Sequence, residues 1–106
     1  MEKFRKHGKE PYYVEVIHGG PGAPGDVAQL ARELSIDHGV LEPLLSSKTI
    51  DGQVKELRSV LDDNADLPVR LIGHSYGAWL SIMFTANHPV YVSKLILVSS
   101  GPFKNR

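Results

Sequence analysis

Val69 to Ile72 read as a strand whose apolar end, Leu71-Ile72, passes through Gly73-His74-Ser75-Tyr76-Gly77 straight into a helical pattern, with no linker between the two. A strand that becomes a helix within one residue must make a sharp, strained turn, and the G-x-S-x-G spacing fits that need. The glycines two before and two after the serine keep neighbouring backbone apart. The turn drives the Ser75 hydroxyl out of the sheet, and the helix that follows aims its first N–H groups at whatever anion forms beside it. Gly73, His74 and Gly77 are therefore read as the frame of the turn and Ser75 as its functional tip.

A second strand lies upstream. Tyr12 to His18 is β-branched and aromatic, and it stops at Gly19-Gly20-Pro21-Gly22-Ala23-Pro24-Gly25. Acyl-transfer chemistry needs two backbone N–H groups converging on one oxygen, one from the residue after the nucleophile and one from a loop on a neighbouring strand. Tyr76 fills the first position and Gly20 the second, with His18 and Gly19 leading into that loop.

With these pieces the chain resembles the α/β-hydrolase family, specifically its N-terminal half. The matching segments are His18-Gly19-Gly20-Pro21-Gly22, the Gly73 to Gly77 turn, and His88-Pro89 followed by Lys94 to Ser100. The glycine-rich loop is similar to that of proline-iminopeptidase-like members. The resemblance implies a serine hydrolase acting on a small-molecule ester- or amide-like carbonyl through an acyl-enzyme, without a cofactor.

The resemblance also implies an acid and a histidine, in that order, after the serine. Only 31 residues follow Ser75; they hold one histidine, His88, and no aspartate or glutamate. His88 falls at the expected end of the helix after the turn, roughly 18 Å from Ser75. The upstream carboxylates Glu42, Asp62, Asp63 and Asp66 have no precedent in the role. The chain is accordingly read as a truncated core that lacks its base and acid.

Composition narrows the remaining classes. Twelve basic and twelve acidic residues cancel, so neither a nucleic acid nor an anionic membrane is an expected partner. The chain has no cysteine, which excludes thiolate metal sites and fits a cytoplasmic setting. Scattered histidines without i, i+4 spacing point to no metal site. The basic start over residues 1–10 is too short for a signal peptide and is expected to be a solvated tail, with the core domain over 11–106.

Alternating patterns give an α/β fold with a small parallel sheet of about four strands flanked by helices. Asp26 can cap a first helix with its apolar stripe at Val27, Leu30, Ala31 and Leu34. A short strand near Gly39 to Leu41 ends at Glu42-Pro43. Ile50, Val54, Leu57 and Leu61 mark a second helix, with a solvated face at Lys55 to Arg58. The third runs from Tyr76 to Asn87, and the last strand from Lys94 to Ser99. The expected strand order is second, first, third, fourth. Missing neighbours at the sheet edges and a partly uncovered face make a homo-oligomer the expected partner state.

Two other readings compete. Gly20, Gly22 and Gly25 satisfy G-x-G-x-x-G, with Glu42 roughly 20 residues on, as in a dinucleotide-binding βαβ unit. Against it, the strand runs past His18 before the fingerprint starts, and Pro24 removes a donor where the phosphate helix should begin. The other is a non-catalytic interaction module, in which Ser75 is merely a small residue at a tight turn. His18 then only ends a strand and hydrogen-bonds a loop, while Trp79 and Phe84 are core aromatics and Tyr12 and Tyr13 strand packing; the alternative for Trp79, near the turn, is the lining of an acyl pocket.

Overall fold

The computed structural model describes residues 3–18 and 27–98. Its strands are β1 (Phe4–His7), β2 (Tyr12–Ile17), β3 (Gly39–Pro43), β4 (Val69–His74) and β5 (Val92–Val98). Its helices are α1 (Ala28–Leu34), α2 (Ile50–Asn64) and α3 (Tyr76–Asn87), with a 3-10 turn at Pro89–Tyr91. The strands make one sheet in the order β1-β3-β2-β4-β5, with β1 antiparallel to β3 and all other pairs parallel.

Period-two burial fills both faces of the sheet. Val14, Val16, Val40 and Ile72 pack with Val27 and Ala31 of the α1 region on one side. Ile17, Val69 and Leu71 pack with Leu57 and Leu61 of α2 and with Leu80 and Phe84 of α3 on the other. The helices change sides for a topological reason. The chain moves from β2 to β3 in one direction across the sheet, then from β3 through β4 to β5 in the other, and right-handed crossovers require opposite faces for opposite directions. The reversal opens a crevice at the carboxyl ends of β2 and β4, where open α/β sheets bind ligands.

The helix starting at Ile50 has a local cause in Thr49, whose backbone is extended and whose hydroxyl accepts the Gly52 N–H at 3.0 Å. Asp26, the expected cap of α1, lies outside the described residues.

Three expectations need correction. Residues 4–7 are not a solvated tail: β1 adds a fifth strand, because Arg5 and His7 face the buried Glu42 across the β1–β3 pair. His7 Nε2 lies 2.9 Å from Glu42 Oε1, and Arg5 Nη1 lies 3.7 Å from Oε2. A carboxylate buried within a sheet is tolerable when a guanidinium lies beside it and an imidazole hydrogen-bonds it. Trp79 is no core residue, since it is 45% exposed on the outer face of α3, and Tyr13 is 51% exposed while Tyr12 is buried. Phe84 is fully buried as expected. Among the described residues, no helix is long and apolar enough to cross a membrane.

Candidate active site

Ser75 follows the last residue of β4 and precedes the first of α3, with φ 59° and ψ −122°. It is the only described non-glycine residue with positive φ, and a side chain is held there only when its surroundings enforce it. The enforcement is visible. The Ser75 N–H donates to the Val98 carbonyl of β5 at 3.3 Å, and its carbonyl accepts the Ala78 N–H at 2.9 Å. The Ser75 hydroxyl makes no capping bond to α3, so the oxygen is left for other chemistry.

Both glycines of the turn are required by close approach. A Cβ on Gly73 would lie 2.5 Å from the Gly77 carbonyl oxygen and 2.6 Å from both Ala78 Cα and Ser81 Oγ. A Cβ on Gly77 would overlap the carbonyl oxygens of Ile17 and His18. The start of α3 is thus pressed against the end of β2, which pairs Ile17 with Gly73. Ser81 closes the contact by donating to the Gly77 carbonyl at 2.6 Å.

The Tyr76 N–H belongs to the first turn of α3, where intrahelical acceptors do not exist. It stands next to Ser75 in the chain. Gly19 and Gly20, the other half of the expected oxyanion site, lie outside the described residues. His18, which leads into them, is 2% exposed, and its Nε2 accepts the Leu45 N–H at 3.0 Å. That bond assigns the proton to Nδ1, a neutral tautomer that positions backbone. His74 ends β4 and is partly buried.

No described histidine or carboxylate hydrogen-bonds the Ser75 hydroxyl. His88 caps the far end of α3, its N–H bonded to the Phe84 carbonyl and its ring stacked among Phe84 and Tyr91. Asp62 accepts the Tyr91 hydroxyl at 2.6 Å, and Asp66 accepts the Tyr12 N–H at 2.6 Å. Glu42 is fully buried beside His7, which leaves it no access to a ribose. Among the described residues no cluster could hold a metal ion.

One group was not singled out by sequence reasoning. Gln53 is 1% exposed; its Nε2 donates to the Ser47 carbonyl at 2.9 Å and its Oε1 accepts the Tyr76 hydroxyl at 3.1 Å. The available signal was a polar residue inside the apolar stripe of α2, between Ile50 and Leu57.

No family model matches the chain. A 2-hydroxy-6-oxononadienedioate/2-hydroxy-6-oxononatrienedioate hydrolase of Escherichia coli is 31% identical over 114 aligned positions, covering 92% of this chain and 39% of that protein. Lipase LipV of Mycobacterium tuberculosis is 35% identical over 63 residues, 59% of this chain and 24% of its own length. The chain therefore spans well under half of the curated relatives it matches. An alpha/beta hydrolase enzyme from a lagoon-sediment metagenome of Mar Chica, Morocco, superposes with a TM-score of 0.75 at 23% identity, over 95% of this chain and 50% of that one. The sheet order and the likeness to solved structures show that the chain has an α/β-hydrolase fold.

Proposed function

We propose that this chain carries the nucleophile and the oxyanion donors of a serine hydrolase acting on an ester- or amide-like carbonyl. The observation that carries the reading is Ser75, held at positive φ at the carboxyl end of β4 beside β2, its hydroxyl making no hydrogen bond among the described residues. Its similarity to a lipase and to another hydrolase supports it.

In this reading Ser75 Oγ bonds to the substrate carbonyl carbon, and the oxyanion formed is held by the N–H groups of Tyr76 and Gly20. The hydroxyl proton passes to a base and from it to the leaving alcohol or amine, as the bond to that group breaks. Water then adds to the acyl-serine, returns a proton to Oγ and frees the acid. This reading takes neither the base nor its orienting acid from the described residues, because His88, Asp62 and Asp66 are committed elsewhere. No cofactor enters the scheme.

The test is labelling of the purified chain with a fluorophosphonate, read by intact mass beside Ser75→Ala. Mass addition that disappears in Ser75→Ala supports the reading. A folded chain that gains no mass overturns it for this chain and favours an interaction module.

A further inference from the structure

From the hydrogen bonds around the turn we infer that Gln53 is a positioning residue for the oxyanion site, acting through Tyr76; the inference rests on the hydrolase reading above.

A fully buried primary amide is stable only when both its ends are satisfied. Gln53 meets that requirement with two partners from different parts of the chain: the Ser47 carbonyl in the segment after β3, and the hydroxyl of Tyr76 at the start of α3. Tyr76 is the residue whose backbone N–H the hydrolase reading assigns to the oxyanion. Holding the tip of its ring fixes the side chain, and through it the orientation of the first peptide of α3.

The segment that holds Gln53 is itself fixed. Ser46 and Ser47 donate their N–H groups to the Glu56 carboxylate at 3.1 and 3.0 Å, and the Ser46 hydroxyl donates at 2.9 Å. Thr49 caps the same helix. The segment also reaches the other side of the crevice, because the Leu45 N–H donates to His18 Nε2 at 3.0 Å. One short stretch, Leu45 to Gln53, thereby sets Tyr76 on one side and the end of β2 on the other. Fixing Tyr76 in this way matters, since a donor about 1 Å out of place can slow a reaction roughly a hundredfold.

The test uses Gln53→Leu, Tyr76→Phe and the double variant in the full chain, with fluorophosphonate labelling resolved into reversible binding and covalent bond formation. Each single variant is expected to slow bond formation roughly tenfold to a hundredfold with reversible binding little changed. The double variant is expected to be no slower than the slower single, since the two act through one bond. Tyr76→Phe removes only a hydroxyl, so it reports even where Gln53→Leu does not fold. Wild-type rates in Tyr76→Phe overturn the inference. A wild-type chain that does not label overturns the hydrolase reading instead, and the Tyr76 and Gly77 amide resonances then decide. Shifts in Tyr76→Phe sustain the positioning role, and unshifted resonances end it.

Discussion

Gly77 of α3 sits so close to Ile17 of β2 that a methyl group on it would overlap the Ile17 carbonyl oxygen. This contact seats the helix that follows Ser75 on the central strand of the sheet. The obstacle is backbone and cannot rotate away. Gly77→Ala is expected to lower stability by about 2 to 3 kcal/mol, the upper part of the range for overpacking, measured by urea denaturation. It should also displace Tyr76. An unchanged midpoint would mean that the helix can lift from β2 without loss.

The fold was legible because its periodicities are local. Val27, Ala31, Leu57 and Leu61 repeat at helical spacing, and each faces the sheet. Sequence reasoning also recovered the bounds of α3, since a glycine-framed turn and a proline after His88 delimit it. Residues 4–7 escaped because their basic charge suggests solvent, while the carboxylate that Arg5 and His7 meet is Glu42, far along the chain. Gln53 escaped for the same reason: its partners Ser47 and Tyr76 flank different helices. Long-range polar pairing leaves no periodic trace in a sequence.

Strain at Ser75 gives a second prediction. A residue with a side chain held in a sparsely populated backbone region costs about 1 to 3 kcal/mol, and glycine accepts positive φ freely. Ser75→Gly is therefore expected to raise native-state energy less than the turn now does, offset in part by the added freedom of its unfolded chain. The net expectation is a gain of about 1 kcal/mol in unfolding free energy, with Ser75→Ala close to wild type. A less stable Ser75→Gly would show that the serine is not strained.

Edge exposure gives a third. Among the described residues β5 pairs only with β4, and Ile96 and Leu97 stand 37% and 49% exposed on it. An open strand edge with apolar side chains is a template for pairing with another chain. Self-association that grows with concentration is expected in sedimentation, and Ile96→Lys with Leu97→Lys should suppress it. A wild-type chain that stays monomeric at high concentration contradicts this.

The last concerns Glu15, whose carboxyl is fully buried on β2 between Leu41 and Leu71, with no hydrogen-bond partner for either oxygen among the described residues. Lys6 is on the same face of the sheet, but its ammonium lies 5.2 Å from the centre of the Tyr12 ring, over that ring. Burial raises the Glu15 pKa well above its ordinary 4.5, so the native chain holds a proton that the unfolded chain releases. The sign follows directly: the folded state binds more protons above that ordinary value, and stability falls as pH rises from there toward the folded pKa. The slope for one proton is about 1.4 kcal/mol per pH unit. Urea denaturation across this range should show that decline in the wild type and its disappearance in Glu15→Gln, which cannot ionise. Glu15→Leu should be the more stable of the two, since it leaves no buried polar atom unpaired. A wild-type profile without that decline, parallel to that of Glu15→Gln, would mean that Glu15 ionises inside the fold much as it does in the unfolded chain.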